Sequence, residues 1–312
     1  MQQLNHPIRR SVVATVAVAG TALALAGCGG SASDSSNGGP AGGSTSEPLP
    51  SVSADQALAD RVPESIAEDG VIAVGSDTTY APAEFIAEDG TTIVGFDVDL
   101  FTLVALKLGL EARFESAPFD SIIAGVGSQK YETGVSSLTI NPERLAQANM
   151  VSYFNAGTQW STKAGNPQGV DPDDACGKRV AVQKATVQVD DITARSAQCE
   201  AEGKPAITID QYEGQDEATA AVVSGKDDAG LADLPVMVYA VQQTNGQLEE
   251  LGEPYGNAPY GYVVAKDQAE FAQVLADAVQ ALIADGSYQD VLAKWGVEDG
   301  AIDTPTVNPA AG

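Results

Sequence analysis

The stretch VIAVGSDTTYAP (residues 71–82), followed by VGFDVDLFTLVALKLGL (residues 94–110), decides the fold class. Residues 71–75 form a short apolar run that is typical of a buried strand. Residues 96–110 carry leucine and valine at helical spacing, and the pattern ends at Gly109, a residue type that favours a helix C-terminus. A strand followed by a helix is the repeating unit of an α/β protein.

The same alternation continues along the rest of the chain. Helical spacing predicts further helices at 119–126, from Asn141 onward, at 271–283 and at 288–295. Short apolar runs predict strands at 179–183, 206–210, 229–233 and 261–265. We therefore predict an α/β fold with mostly parallel strands and without an internal repeat.

The composition excludes some classes of partner. The chain has 312 residues with 16 basic and 43 acidic side chains, so its formal net charge is −27. Such a surface repels phosphate backbones and anionic membrane surfaces, and we expect no binding to nucleic acid.

Residues 1–27 have the pattern of an export signal. A basic start and an apolar run over 11–26 lead into Leu25-Ala-Gly-Cys28. This tetrad resembles the bacterial lipobox, which implies that Cys28 is acylated and becomes the first mature residue. Residues 28–61, rich in Gly, Ser and Pro, are then a flexible tether that anchors the protein at the extracytoplasmic face of the bacterial cell membrane. A single N-terminal transmembrane helix is the alternative.

The numbers and positions of histidine and cysteine exclude several kinds of catalytic and metal site. The only histidine, His6, lies within the predicted signal, so the mature chain lacks the usual base for Ser-His-Asp or Cys-His catalysis and the commonest zinc ligand. Carboxylate catalysis stays open. Cys176 and Cys199 form an even pair in an exported chain, which predicts a disulfide rather than a metal site. We expect no metal and no cofactor.

Three predicted strands end in polar residues, namely Ser76–Tyr80, Ser136–Thr139 ahead of Arg144, and Asp233. In α/β sheets ligands bind at the carboxyl ends of strands. A guanidinium, hydroxyl groups and carboxylates together complement a zwitterion. The alternative is that the Ser, Thr and Asp residues cap helices and that Arg144 is a solvated residue of a first helical turn.

A series of motifs, in the same order along the chain, resembles a known family. The motifs are Asp77-Thr-Thr-Tyr-Ala-Pro82, Val94-Gly-Phe-Asp-Val-Asp-Leu100, Phe119-Asp-Ser-Ile-Ile123, Ser136-Ser-Leu-Thr-Ile-Asn-Pro-Glu-Arg144, Gly177-Lys-Arg-Val-Ala-Val182, Asp228-Ala-Gly-Leu-Ala-Asp233 and Asp285-Gly-Ser-Tyr-Gln-Asp290. Over residues 66–297 the sequence resembles the family 3 solute-binding lipoproteins of ABC importers for polar amino acids, in particular histidine- and lysine/arginine/ornithine-binding proteins.

The resemblance implies a two-lobed periplasmic-binding-protein fold of type II, with a hinge in which the chain crosses twice between lobes. Lobe 1 would comprise residues 62–157 plus 262–312, and lobe 2 residues 158–261. Both cysteines would then lie in lobe 2, away from the hinge.

The resemblance also implies roles for the backbone groups of an amino-acid ligand. By matched position, Arg144 would bind the α-carboxylate with help from Thr139 and Thr186. Asp233 and the pair Ser136-Ser137 would hold the α-ammonium.

Other matched residues would contact the ligand side chain or complete the site. Tyr80 and Phe119 would sandwich the side chain, although ordinary core packing is the alternative for them. Asp77 lies where relatives that bind basic amino acids place a carboxylate against the cationic side chain. Gln183 and Gln188 complete the predicted ligand-binding set.

The sequence departs from the family pattern at two places. Pro82-Ala83-Glu84-Phe85 stands where the family usually has Pro-Phe after the tyrosine, so Glu84 would add an acceptor to the pocket or face water. Ala185-Thr186-Val187 stands where many relatives have Gly-Thr-Thr, which removes one hydroxyl at the carboxylate site.

The expected function is capture of a polar, basic amino acid by a monomer that delivers it to ABC permease subunits driven by a cytoplasmic ATPase. The alternatives are a binder of glutamine, glutamate or another polar solute, a dehydratase-like enzyme on the same scaffold, and a sensory or adhesive module.

Overall fold

The computed structural model describes residues 48–310. The predicted signal peptide, the predicted lipidation site Cys28 and residues 28–47 of the predicted tether lie outside the described residues. No helix within residues 48–310 combines the length and the apolar character needed to cross a bilayer.

The last residues of the predicted tether belong to the folded body. They form a short helix, Gln56–Ala59, because Asp55 accepts hydrogen bonds from the first free N–H groups of that helix and Leu58 is buried in the core. The folded body therefore begins before residue 62, where the sequence placed its start.

The described residues contain ten α-helices and eleven strands. The strands are β1 Val71–Ser76, β2 Thr79–Tyr80, β3 Glu84–Ile86, β4 Ile93–Val94, β5 Glu111–Ser116, β6 Thr133–Gly134, β7 Asn149–Lys163, β8 Arg179–Gln183, β9 Thr208–Tyr212, β10 Ala229–Asp233 and β11 Leu248–Val264. The helices are α1 Gln56–Ala59, α2 Glu64–Ala67, α3 Phe96–Lys107, α4 Ile122–Gly127, α5 Pro142–Gln147, α6 Val187–Ala201, α7 Gln215–Ser224, α8 Leu234–Gln243, α9 Ala269–Asp285 and α10 Ser287–Trp295. Short 3₁₀ turns lie at Phe119–Ser121 and Glu298–Gly300.

Several predicted elements are confirmed. The strands at 179–183 and 229–233 have the predicted bounds, and the helix predicted from Asn141 begins with Asn141 Oδ1 accepting from the Arg144 N–H at 2.8 Å. The left-handed Gly286, with φ of 89°, separates α9 from α10 as predicted. The strand predicted at 206–210 is shifted by two residues, to Thr208–Tyr212.

Eight strands form one mixed sheet in the order β5-β1-β6-β11-β7-β10-β8-β9, and β2, β3 and β4 form a small antiparallel sheet. β1 is parallel to β5 and β6, and β8 is parallel to β9 and β10, which leaves parallel pairing on both sides of the sheet. The two central strands, β7 and β11, run antiparallel to each other and to β10 and β6. The α/β class is confirmed, whereas the prediction of mostly parallel strands is wrong at the centre of the sheet.

The two central strands carry the chain between two halves of the sheet. The end of β11 pairs with β6, whereas residues 158–162 of β7 pair with β10. Each long strand thus belongs at one end to the half of the sheet formed by β5, β1 and β6, and at the other end to the half formed by β10, β8 and β9. The chain therefore crosses twice between the halves, as predicted. The pairing register of β7 and β11 shifts between Leu251 and Gly261. The lobe boundaries at 157/158 and 261/262 stay a prediction.

The apolar side chains form a larger and a smaller core. The larger core surrounds Phe101 and Phe271, and a smaller one on the β8 side surrounds Trp160 and Ile192. Cys176 and Cys199 are bonded to each other in the structure, which is the predicted pairing, and they tie the segment before β8 to α6. The bond thus lies within the smaller core.

We expect this disulfide to stabilise the β8 side. Replacing both Cys176 and Cys199 by Ala should lower the free energy of unfolding by about 3 kcal/mol, because the bond closes a loop in the unfolded chain. Urea unfolding of wild type and variant measures the difference. Wild type under a reducing agent should lose a similar amount, and equal midpoints in all three samples would contradict the prediction.

Candidate ligand-binding site

Residues from both sides of the sheet surround a cavity of about 10 Å³. It is lined by Tyr80, Phe119, Ser137, Thr139, Arg144, Thr186, Val187, Gln188 and Asp233. All the predicted ligand-binding residues except Asp77, Ser136 and Gln183 therefore meet at one place. The volume is enough for about one water molecule, so the two lobes are closed against each other in this conformation.

A second cavity of about 180 Å³ adjoins the first and shares Phe119, Arg144, Thr186 and Val187 with it. Its lining also includes residues of α4, α5 and α6. The Arg144 side chain therefore lies between the small cavity and the outer part of the cleft.

Arg144 is held by its backbone and by both lobes. The Asn141 cap fixes the first turn of α5, and the Arg144 guanidinium donates to the Thr139 carbonyl at 2.8 Å and the Ala185 carbonyl at 3.1 Å. It lies over the Phe119 ring, with 5.3 Å between Cζ and the ring centroid. Burial lowers the pKa of Arg144, but a guanidinium keeps its charge in proteins. The alternative of a solvated first-turn residue is wrong, because Arg144 is buried.

Asp233 ends β10 and occupies the N-cap position of α8, yet its side chain makes no capping hydrogen bond. Its Oδ2 accepts from the hydroxyls of Tyr80 at 2.9 Å and Tyr260 at 2.7 Å, and its Oδ1 accepts from Gln188 Nε2 at 2.8 Å. Burial raises the pKa of Asp233, and these three donors oppose the shift by stabilising the charged form. The carboxylate is therefore directed into the cleft rather than onto the helix.

The N-terminus of α6 faces the same cavity through Thr186, Val187 and Gln188. Thr186 is the N-cap residue, but its hydroxyl donates to the Gln183 carbonyl at 2.7 Å instead of accepting from the helix. A helix N-terminus attracts anions through its free N–H groups and its dipole. It thus places a second electropositive group beside Arg144.

Asp77 lies beside the small cavity rather than on its wall. Its Oδ1 accepts from the backbone N–H and hydroxyl of Thr79 at 3.0 and 2.7 Å, and its Oδ2 accepts from Gln183 Nε2 at 2.6 Å. The Asp77 N–H donates to Ser136 Oγ at 3.0 Å. Burial raises the pKa of Asp77, and the same donors oppose that shift. Asp77, Ser136 and Gln183 thus form a layer next to the cavity.

Four hydrogen bonds between predicted site residues and their neighbours join the two lobes across the cleft. One connects Asp77 with Gln183, one connects Arg144 with the Ala185 carbonyl, and two connect Tyr80 with Asp233, whose backbone N–H donates to the Tyr80 hydroxyl at 3.1 Å. Each contributes about 0.5–1.5 kcal/mol, or up to about 3 kcal/mol where one partner is charged. A ligand that enters must replace these bonds by its own.

The two departures from the family pattern have structural explanations. Glu84 is fully buried and accepts from Ser136 Oγ at 2.9 Å, so it neither lines the cavity nor faces water, and the prediction is wrong on both counts. Ala185 has φ of 61°, a left-handed conformation that glycine adopts without strain, and its carbonyl accepts from Arg144.

Sequence reasoning missed Tyr260, which donates to Asp233 from β11, and Thr158, which accepts from Gln188 at 3.0 Å. Tyr260 precedes the strand that the pattern placed at 261–265. The alternation of Tyr260, Tyr262 and Val264 could have extended that strand toward the cleft.

The geometry can be compared with known proteins. Residues 72–298 match the family described as bacterial extracellular solute-binding proteins, family 3. The chain belongs to this family. The predicted resemblance is confirmed.

Individual relatives of this family 3 protein agree with that assignment. The arginine-binding protein ArgT of Corynebacterium glutamicum is 36% identical over 303 residues, which are 96% of each chain. The ABC transporter arginine-binding protein 1 of Escherichia coli K12 is 28% identical over 231 residues, covering 72% of this chain and 90% of the relative.

Among solved structures, an ancestral arginine-binding protein bound to arginine matches with a TM-score of 0.67 and 30% identity. The match covers 72% of this chain and 98% of the ancestral protein. The two-lobed fold predicted from the sequence is thereby confirmed.

Proposed function

We propose that this family 3 protein captures a basic amino acid, arginine in the first place, between its two lobes and delivers it to the permease of an ABC importer. The protein acts as a monomeric carrier without catalysis, anchored through acylated Cys28 at the extracytoplasmic face of the membrane. The observation that carries the proposal is the presence of Arg144 and Asp233, with opposite charges, on one small cavity between the lobes.

The two charges suit the two ends of an α-amino acid. The Arg144 guanidinium and the N-terminus of α6 provide donors for the carboxylate, with the hydroxyls of Thr139 and Thr186 nearby. Asp233 provides an acceptor for the ammonium, and Ser137 lines the cavity close to it.

The ligand side chain is proposed to extend from Tyr80 and Phe119 toward Asp77. A guanidinium or ammonium there would take the place of the Gln183 amide on Asp77 Oδ2, exchanging a neutral donor for a charged one. Relatives named for arginine support this choice. A neutral ligand such as glutamine would leave the Asp77–Gln183 bond in place.

Ligand release and capture require the lobes to separate. The hydrogen bonds between lobes keep the cleft closed, and a ligand that contacts both lobes favours the closed state by its differential affinity for it. The closed form is the one proposed to dock on the permease.

Isothermal titration calorimetry of the purified, ligand-stripped protein tests the proposal. Arginine, lysine, ornithine, histidine, glutamine and glutamate are titrated in turn. Binding of one or more basic amino acids, with weaker binding of glutamine and glutamate, is the expected result. Preference for a neutral or acidic amino acid would contradict the basic ligand, and binding of none would contradict the function.

Asp233→Asn should weaken binding of arginine by at least about a hundredfold. The variant removes the charge that pairs with a desolvated ammonium, a loss of about 3 kcal/mol or more. Asp267→Asn is the matched control, since it removes an exposed carboxylate from the turn after β11. Equal affinities of the two variants would show that Asp233 does not contact the ligand.

Asp77→Asn should act selectively. We expect it to weaken arginine and lysine by about tenfold or more while changing the affinity for glutamine little, because only a cationic side chain gains from the carboxylate. The ratio of dissociation constants for arginine and glutamine is the measurement. A variant that weakens both ligands equally would rule out this role for Asp77.

Cys28→Ala should prevent lipid attachment. Cells grown with labelled palmitate should yield labelled wild-type protein in the membrane fraction, whereas the variant should be unlabelled and recovered from that fraction in much smaller amount. Ser31→Ala is a control that makes a small change close to Cys28 in the sequence without touching the lipobox or the disulfide. Label on the Cys28→Ala chain would contradict the anchor.

A further inference from the structure

Two fully buried carboxyl groups, Glu84 on β3 and Asp97 in the first turn of α3, lie against each other directly behind the ligand-binding site. Glu84 Oε1 accepts from Ser136 Oγ at 2.9 Å. Asp97 Oδ2 accepts from the backbone N–H and hydroxyl of Ser137 at 2.8 and 3.2 Å and from the Tyr153 hydroxyl at 2.6 Å. Within residues 48–310, Glu84 Oε2 and Asp97 Oδ1 receive no hydrogen bond from any donor.

The backbone brings the pair together. Gly95, with φ of 142°, lies so close to the residue before β3 that a Cβ at this position would be 1.9 Å from the Ala83 carbonyl oxygen. The Asp97 N–H donates to the same carbonyl at 3.0 Å. The start of α3 is thereby fixed against the residue that precedes β3, which holds the backbones of Glu84 and Asp97 beside each other.

The contact requires one proton. Two adjacent carboxylates that are both fully buried cannot both be ionised, whereas a carboxyl group can donate to a carboxylate. Asp97 has three donors on Oδ2 and lies at a helix N-terminus, which stabilises its charge. Glu84 has one donor, so the arrangement favours a proton on Glu84 that is directed at Asp97.

Proton affinities agree with this assignment. Burial raises the pKa of Asp97 to about 6, and burial together with the neighbouring Asp97 raises the pKa of Glu84 well above its ordinary value. The other titratable groups that face the pair are Asp77, Tyr80, Tyr153 and Tyr262. None of these neighbours is a cation that would favour a second negative charge.

The pair is connected to the proposed site through two adjacent serines. Ser136 Oγ donates to Glu84 and accepts from the Asp77 N–H, so it links the pair to the proposed side-chain contact. Ser137 lines the cavity and has φ of 47°, a conformation that non-glycine residues rarely adopt. Its N–H and hydroxyl are both held by Asp97.

We propose that Glu84 and Asp97 share one proton, and that this proton is what keeps Ser136 and Ser137 in the conformation that binds the ligand. Both acids are positioning residues, since neither lines the cavity. Loss of the proton leaves two negative charges in contact, which separates the carboxyl groups and displaces the serines that they hold. The predicted effect on ligand affinity rests on the proposed function, whereas the shared proton itself does not depend on it.

The variant Glu84→Gln removes the ability of this side chain to ionise while keeping its shape. The amide carbonyl can accept from Ser136, and the amide NH₂ can donate to Asp97 as the protonated acid does. Glu88→Gln is the matched control, because it makes the same change at an exposed position of the same hairpin.

Arginine affinity is measured from pH 6.5 to 9 for wild type and both variants. Comparing proteins at the same pH cancels titration of the ligand itself. We expect the dissociation constant of wild type, divided by that of Glu84→Gln, to rise with pH, by up to tenfold per unit once Glu84 ionises. The ratio of wild type to Glu88→Gln should stay constant. A constant or falling ratio for Glu84→Gln would overturn the positioning role.

The proton itself is tested without ligand. Carbon NMR of the carboxyl carbons of wild type should show one glutamate that remains protonated at pH 7, and this resonance should be missing from Glu84→Gln but present in Glu88→Gln. Because the folded state keeps a proton that the unfolded chain releases, the free energy of unfolding of wild type should fall relative to Glu84→Gln as pH rises from the ordinary glutamate pKa toward the raised one.

The outcomes distinguish the two proposals. If no amino acid binds to wild type, the proposed function fails while the NMR spectrum still decides the shared proton. If arginine binds but every glutamate of wild type titrates at an ordinary pKa, the shared proton is wrong and the proposed function stands. The NMR measurement on wild type remains decisive if Glu84→Gln does not fold.

Discussion

The antiparallel pairing of β7 with β11 is the constraint on which the rest of the structure depends. These strands pair over most of their length, yet their outer neighbours differ at the two ends, with β6 on one side and β10 on the other. One ladder therefore connects the two halves of the sheet. The register shifts between Leu251 and Gly261 interrupt the ladder where the two sides meet, so any relative motion of the lobes must be absorbed there.

Closure of the two lobes buries polar groups in the cleft, and each such group would be costly without a hydrogen-bond partner. In the closed structure these groups form hydrogen bonds with one another. Arg144 donates to carbonyls of both lobes, and Asp233 receives three donors. A buried polar group left unpaired costs about 1–3 kcal/mol, so a ligand can enter only if it replaces each bond that it displaces. The same pairing that closes the cleft therefore sets a chemical condition on what can bind.

Much of the fold could be predicted from the sequence because local signals agreed with it. The Asn141 cap, the apolar run of β10 and the break at Gly286 are local, and the structure contains all three. β7 was missed because buried Ser, Thr, Asn and Gln residues interrupt its apolar pattern, and their burial depends on partners distant in sequence.

The same distinction applies to the site. Asp233, at the end of β10, and Ser137, shortly after the end of β6, could be placed because topology brings such strand ends together. The contact of Glu84 with Asp97 could not, since it depends on the close approach of Gly95 to β3. Family motifs alone left Glu84 with two interpretations, and the structure contradicts both.

The balance of buried charge around the cleft bears on the ligand. Asp77, Asp233 and the Glu84–Asp97 pair with its one proposed proton contribute three negative charges, and Arg144 contributes one positive charge. These groups are all buried, so their fields are screened little by solvent. A zwitterion with a neutral side chain leaves this excess unchanged, glutamate increases it, and a basic amino acid reduces it. If Glu84 were ionised as well, a basic ligand would be favoured still more by charge alone, but the serines that position it would be lost. The proposed proton thus weakens the electrostatic attraction of a basic ligand, but it keeps Ser136 and Ser137 in a fixed geometry.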